Sequence, residues 1–267
     1  MTLPTASKLD LCKARLDRAG YCVVSDPVVP LPLLEAARAR IPHIIAGEYD
    51  TGTPPTARRA QPHDRETLQQ IFNPHLCDRS FRQLVTHSGL GNLLAEILES
   101  KRIQVLGSQL FIKPGGGAPQ AITPWHSEAQ HVRCFTEGCY QVWMPFSEVD
   151  ENSGTLWYLP GSHQCPDGPA VRDVLANATK FEKGKRVWNQ TEGLQKAEAI
   201  RLRPGGISVH HQYTLHGSPS NESNTTRYAL SIGIGTDTLA YNTAEDPFGF
   251  IAQLSDQVVC PVVVSNF

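Results

Sequence analysis

TPWHSEAQHVR, Thr123 to Arg133, places His126, Glu128 and His131 within six residues. How this stretch folds decides how the rest of the chain is read. A zinc-protease helix would carry His-Glu-x-x-His, with its histidines four apart on one face. Here they are five apart and Glu128 is not adjacent to His126, so that helix is excluded. On a β-strand, residues i and i+2 project from the same face. His126 and Glu128 would then point together as two ligands awaiting a third, and His131, of opposite parity, would leave the site. An isolated His-x-Glu is more commonly a half-buried histidine beside an acid, so the metal reading needs support from elsewhere in the chain.

The surroundings read as sheet. From Arg102 onward, short apolar or alternating runs are broken by Gly, Pro, Asn and Ser, the texture of a sandwich or barrel. Strands are expected near RIQVLGSQLFIK, ITPWHSE, CYQVWMPFSEV, GTLWYLP, AEAIRLR, GISVHHQ and TRYALSIGIG. The first hundred residues read as helical and connecting material around one strand, GYCVVSD. LPLLEAARARI and HSGLGNLLAEILES have helical apolar spacing, and AGEYDTGTPPTARRAQPHD reads as loop. Pro54-Pro55 excludes regular helix there. Residues 166–194 look inserted, either as a substrate lid or as a plain surface excursion.

A third ligand would come from HHQYTLHGSPSNESNTTRYALSIGIG, where His210, His211 and His216 compete. In the strand that follows, Tyr228, Leu230, Ile232 and Ile234 form a bulky face. Arg227, Ala229, Ser231 and Gly233 form the other, a cation followed only by small side chains. A planar guanidinium with open volume beside it is a receptor for a carboxylate.

Composition narrows the partners. The chain has 267 residues with 24 basic and 26 acidic side chains, a net charge of −2, which gives no electrostatic case for nucleic acid or an anionic membrane. A small molecule is the expected partner. Seven cysteines at irregular spacings without Cys-x-x-Cys suggest reduced thiols and an intracellular protein. No secretory leader or membrane span is expected, and the terminal Ser-Asn-Phe is not a Ser-Lys-Leu address.

Two histidines and one carboxylate on a sheet frame match the facial arrangement of non-haem Fe(II) oxygenases. His126-x-Glu128, then NSGTLWYLPGSHQ (residues 152–164), then His216-Gly217-Ser218-x-x-Asn221-x-Ser223-x-x-x-Arg227 resembles the phytanoyl-CoA dioxygenase family of Fe(II)/2-oxoglutarate oxygenases. The resemblance spans about residues 102 to 235 and rests on the order, the spacing and the Pro-Gly-Ser-His turn. It implies a double-stranded β-helix, the cupin-like jelly roll: a mainly β protein with flanking helices. One domain over residues 1–267 is then expected, with residues 1–101 mostly helical and the β core at 102–235.

By the same resemblance, His126, Glu128 and His216 hold Fe(II). Arg227 pairs with the far carboxylate of 2-oxoglutarate, Ser218 is a hydrogen-bond donor beside it, and Gln109 and Trp143 line the cosubstrate pocket. Strand parity places Gln109, Phe111 and Lys113 on one face and Gln141 and Trp143 together on another; Trp143 also reads as an ordinary core aromatic. The implied activity is O2-dependent oxidation of a C–H bond in a small metabolite, including a secondary-metabolite intermediate. Two departures stand out. Glu128 occupies a position where the family usually has Asp, and a halogenase would carry Ala or Gly there. Gly206 stands where Asp often follows Pro-Gly. A jelly-roll binding protein with a vestigial metal site, and a cupin-like enzyme of another reaction class, are the alternatives. No basic cluster in the barrel segment suggests a coenzyme A phosphate site.

Overall fold

The computed structural model describes residues 6–60, 64 and 66–265. The first five residues, the part of the expected loop at 61–63, and the last two residues of the Ser-Asn-Phe end lie outside them. In chain order the strands are β1 (Tyr21–Val24), β2 (Ala57–Arg59), β3 (Gln69–Phe72), β4 (Arg102–Lys113), β5 (Thr123–His126), β6 (Phe135–Pro145), β7 (Trp157–Tyr158), β8 (Glu198–Ala199), β9 (Ile207–His211), β10 (His216–Ser218), β11 (Arg227–Tyr241) and β12 (Val262–Ser265). The larger sheet runs β1-β9-β6-β11-β4-β3-β2, with β12 also on β4, and the smaller runs β5-β10-β7-β8. Every named pairing is antiparallel. The architecture is the expected one, a mainly β jelly roll with flanking helices.

Alternation along β11 sets the layers. Leu230, Ile232 and Ile234 are buried with Leu110, Val142 and Met144 in the main core. That core also takes Leu34, Ile41 and Ile44 of α2 (Leu31–Ala46), Phe81 and Leu84 of α4 (Arg79–Val85), and Leu90, Leu93 and Ile97 of α5 (Ser88–Ile97). With α1 (Ala6–Ala19) and the single turn α3 (Pro74–Cys77), these helices cover the outer face of the larger sheet. Each fully buried Leu or Ile contributes roughly 1.5–3 kcal/mol, so the apolar half of the alternation fixes which face turns outward to the helices. The opposite face, Arg227, Ala229 and Ser231, is turned into the roll, where Ala229 packs with Trp143 and Tyr158.

The sequence reading needs four corrections. The first hundred residues contribute three strands, not one, because β2 and β3 form a hairpin that extends the larger sheet, with Phe72 opposite Gln109 of β4. β2 lies inside the expected loop; it is three residues long and half exposed, too short for periodicity to show. GTLWYLP and AEAIRLR shrink to two-residue strands, while β11 runs to Tyr241 and β12 adds a strand beyond residue 235. The inserted segment is ordered as α6 (Pro169–Leu175) and α7 (Phe181–Gln190). The last helix, α8 (Phe250–Gln253), is a single turn near the mouth of the roll. No described helix is long and apolar enough to cross a membrane.

The Gly206 departure has a steric basis. A Cβ at Gly206 would lie 2.6 Å from the Ser25 carbonyl oxygen, so any side chain would push β9 away from the segment following β1.

A buried histidine ties the C-terminal segment to β4. His75 donates Nε2–H to the Val259 carbonyl (3.0 Å), and its Nδ1 lies 2.6 Å from Ser108 Oγ. Burial lowers its pKa from 6.5 to about 4. The folded state therefore binds fewer protons than the unfolded chain between those values, and stability falls as pH falls. The contribution is full above pH 6.5 and lost by about pH 4, a drop of about 3 kcal/mol from the 6.5-to-4 shift. Denaturant melts of wild type and His75→Gln should diverge near neutrality and converge near pH 4. A constant offset across that range would remove this role for His75.

Candidate metal centre

β5 and β10 pair so that His216 lies directly opposite His126, which brings the two ring centroids to 4.2 Å. The approach is close because position 217 has no side chain: a Cβ there would meet the Thr123 carbonyl oxygen at 3.1 Å and Phe181 at 3.2 Å. Glu128 reaches the pair by a different route from the expected one. β5 ends at His126, and Glu128 begins a one-turn 3-10 helix, Glu128–Gln130. Gln130 Oε1 accepts from the Ser127 N–H at 3.0 Å and so fixes the turn. The strand-parity argument therefore reached the right neighbour through the wrong local structure. It also misplaced His131, which stays beside His126 with centroids 5.3 Å apart. The sequence signal for the turn was Ser127-x-x-Gln130, the capping-box pattern.

His126, Glu128 and His216 form the metal-competent cluster, with one donor atom from each inside a 4.8 Å span. Glu128 Oε1 lies 4.0 Å from His126 Nε2 and 3.3 Å from His216 Nε2. The tautomers decide what this means. His126 Nδ1 is 2.8 Å from the Pro124 carbonyl and His216 Nδ1 is 3.0 Å from the Thr214 carbonyl. A carbonyl only accepts, so both protons sit on Nδ1 and both Nε2 lone pairs face Glu128. Two lone pairs and a carboxylate converging in a buried space repel one another unless a cation lies between them, and backbone-anchored imidazoles are how proteins present metal ligands. The donor set fits a divalent ion of the Fe(II) type.

Protonation agrees. Burial, and then the proximity of a second imidazole at His216, push His126 down to about 3. Burial also lowers His216. Burial opposes ionisation of Glu128, but the imidazoles around it, His210 first, outweigh it and hold the carboxyl well below its usual range. The site is thus two neutral imidazoles and one carboxylate, the ionisation state a metal needs.

These side chains open into a cavity of about 950 Å³, which also exposes Gln109, Gln141, Trp143, His210, Arg227 and Ser231. Arg227 is 3% exposed and lies over the Trp143 ring, 5.3 Å from its centroid. Its Nη2 donates to the Gly154 carbonyl (2.7 Å) and Ser218 Oγ (3.3 Å), and its buried Nε has no partner. Burial lowers its pKa to about 9, which still leaves it cationic at neutrality. A cavity-facing guanidinium bonded to neutral groups fits an anionic ligand such as a dicarboxylate.

Ser218 stands elsewhere than expected. Its hydroxyl donates to the Gly154 carbonyl at 2.7 Å and accepts from Lys113 Nζ (2.5 Å) and Arg227. It braces the guanidinium from behind rather than offering a free proton to the cavity. Lys113 is the residue that sequence reasoning passed over. Opposite Arg227 in the β4–β11 register, it is fully buried and also donates to the Ser218 and Pro219 carbonyls. Burial, and then Arg227, push its pKa well below the usual lysine range. Its parity with Gln109 was the available signal. Trp143 is buried in the roll and also lines the cavity. His211 points away from the centre and packs against His163 and Tyr213.

The end of α6 and the turn that follows it wall the cavity beside β5, and α7 packs behind them. Trp125 stacks on Phe181 (4.5 Å, 12°) and donates to its carbonyl, while Leu175 and Ala178 reach the cavity.

The profile of the Phytanoyl-CoA dioxygenase (PhyH) family matches residues 16–229. A probable alpha-ketoglutarate-dependent hypophosphite dioxygenase of Stutzerimonas stutzeri is 27% identical over 168 residues, covering 62% of this chain and 56% of that protein. The chain spans about half the length of the curated relatives it matches. A non-heme alpha ketoglutarate dependent carbocyclase from nogalamycin biosynthesis superposes with a TM-score of 0.71 at 18% identity, covering 99% of this chain and 100% of that one. The epimerase of the same biosynthesis, in complex with Fe3+, alpha ketoglutarate and a nogalamycin, superposes at 0.66 with 20% identity over 89% and 87% of the two chains. At such identities the likeness is one of fold.

Proposed function

Because the chain belongs to the phytanoyl-CoA dioxygenase family, we propose that it is an Fe(II)- and 2-oxoglutarate-dependent dioxygenase acting on a small organic metabolite. The observation that carries the reading is the pair of backbone-anchored imidazoles whose free Nε2 lone pairs meet Glu128. His126, Glu128 and His216 would hold the metal. Bound there, Fe(II) would supply the O2 chemistry that couples oxidative decarboxylation of 2-oxoglutarate to oxidation of a C–H bond. For hydroxylation the balance is substrate C–H, 2-oxoglutarate and O2 giving C–OH, succinate and CO2.

The chain's own residues orient and enclose. Arg227, braced by Ser218 and the Gly154 carbonyl, binds the far carboxylate of the cosubstrate, and Lys113 behind Ser218 adds positive potential to that end. Trp143 and Gln109 form the pocket's side walls. α6 and α7 keep water from one flank. Toward the mouth the lining combines Phe72, Phe111 and Phe248 with the amides of Gln70 and Gln253 and one cation, Arg59. Among the described lining residues Glu128 is the only carboxylate. Rings with hydrogen-bonding amides, and no free acid to pair a cation, favour an uncharged or anionic, oxygen-bearing cyclic molecule over an amine. Seven thiols, none in a disulfide, support an intracellular setting, and we read the chain as one catalytic domain with α6 and α7 as part of its substrate wall.

The test is oxygen-dependent succinate release. Iron-loaded protein with 2-oxoglutarate should form succinate only in air, and faster when a metabolite extract contains the substrate, with a mass shift in one component. Folded, metal-loaded protein that consumes no 2-oxoglutarate in any extract would favour a binding protein with a vestigial centre.

A further inference from the structure

Three imidazoles surround Glu128, although only two fit the ligand set. His210 is 1% exposed, its Nε2 lies 3.8 Å from Glu128 Oε1, and its ring centroid is 4.2 Å from that of His216. That Nε2 is buried with no hydrogen-bond partner. Its other nitrogen differs from those of His126 and His216. Instead of a carbonyl, Nδ1 meets the Tyr158 hydroxyl at 2.9 Å, and that oxygen is 2.9 Å from Ser208 Oγ.

The direction of this chain follows from counting protons. Ser208 Oγ has no other hydrogen-bond partner among the described residues. If its proton goes to the Tyr158 oxygen, the phenol proton goes to His210 Nδ1, and the imidazole proton sits on Nε2, aimed at Glu128. In the reverse direction the serine proton would have no acceptor, and a third lone pair would face the carboxylate. Only the first arrangement gives the serine proton an acceptor and turns an N–H, rather than a third lone pair, toward Glu128, whose Oε1 lies 3.8 Å away.

We propose that His210 is a positioning residue that holds the Glu128 carboxylate by donating Nε2–H to it, with Ser208 and Tyr158 fixing the donating tautomer. The inference rests on the metal-centre reading. It also gives the Asp-to-Glu departure a physical reason. Glutamate has one more rotatable bond than aspartate, so its carboxyl can close the 3.8 Å gap by side-chain rotation. An aspartate on the same backbone ends a methylene short of His210.

The test uses metal-free full-length protein titrated with Mn(II), following the unbound ion by electron paramagnetic resonance, so no turnover is needed. His210→Phe keeps a ring but removes the donor, and should weaken Mn(II) binding by about tenfold to a hundredfold, the usual cost of losing an outer hydrogen bond to a ligand. His210→Gln restores an N–H at the Nε2 position and should bind close to wild type. In a Glu128→Asp background, His210→Phe should cause no further loss. If His210→Phe does not fold, Tyr158→Phe, which removes only the hydroxyl, carries the test by the same weakening. Wild-type affinity in His210→Phe or in Tyr158→Phe, or equal weakening by Phe and Gln at 210, overturns the proposal. If His216→Ala loses Mn(II) while His210→Phe keeps it, only the role of His210 falls. If wild type binds no Mn(II), the metal centre falls and the proposal with it.

Discussion

His216→Ala should abolish binding of divalent metal, while His211→Ala should leave it unchanged. The contrast is expected because the two residues sit on opposite sides of a turn with different surroundings. His216 faces His126 across the β5–β10 pairing, and its Nδ1 proton is fixed on the Thr214 carbonyl, so its Nε2 is committed to the site. His211 contributes Nδ1 to the Tyr213 N–H at 3.3 Å and reaches none of the cavity. Removing one of three ligands should exceed the roughly 10–100-fold penalty for losing an outer hydrogen bond. Competition against a chromophoric chelator measures both variants at once. Metal loss in His211→Ala with retention in His216→Ala would reverse the assignment.

Arg227→Leu should raise the Michaelis constant for 2-oxoglutarate by well over tenfold with metal affinity nearly unchanged. Truncating one partner of a buried, hydrogen-bonded charge pair costs about 2–5 kcal/mol, and Arg227 is buried with its free Nε and one face on the cavity side of Trp143. Lys113 limits the loss. Burial, and then the Arg227 charge, depress the lysine; with Arg227 gone the second of these disappears, and Lys113 Nζ on Ser218 Oγ stands one serine from the vacated position. Arg227→Leu combined with Lys113→Met should therefore be worse than the sum of the single changes in free energy. Steady-state kinetics over a 2-oxoglutarate series, with iron content measured on the same samples, checks both statements. An unchanged Michaelis constant in Arg227→Leu would mean another group holds the cosubstrate.

The layer structure was readable because β11 alternates strictly: Leu230, Ile232 and Ile234 on one side and Arg227, Ala229 and Ser231 on the other give each face a different destination. His126, Glu128, His216 and Arg227 were readable as a set because their order and spacing match a family pattern. The local geometry was not. Side-chain parity holds only while a strand continues, and the chain leaves β5 at His126, so Glu128 arrives from a turn and His131 stays near. β2 and β3 escaped notice because Ala-Arg-Arg and Gln-Gln-Ile-Phe carry no alternating apolar face, and they are held by pairing, β3 on β4 and β2 on β3, which no local pattern records. The surroundings of Lys113 and of His210, which was weighed only as a candidate ligand, were not legible for a shared reason. Their roles arise from residues distant in sequence, the Ser218 hydroxyl in one case and Tyr158 with Glu128 in the other.

The Glu128 departure bears on the vestigial-site alternative. A carboxylate that had drifted out of use would not be flanked by two histidines locked with their lone pairs toward it and a third with an unpartnered nitrogen 3.8 Å away. That environment accommodates the longer side chain, so Glu128→Asp should lower the yield of oxidised product per succinate rather than raise it.

The most direct measurement is an anaerobic titration of the protein with Fe(II) and then 2-oxoglutarate, followed by visible absorption. A weak charge-transfer band should appear only when both are present, should be missing in Glu128→Ala, should require far more 2-oxoglutarate in Arg227→Leu, and should decay with succinate release when air is admitted. Folded wild-type protein that develops no band and releases no succinate would contradict the assignment of His126, Glu128, His216 and Arg227 to iron and its cosubstrate.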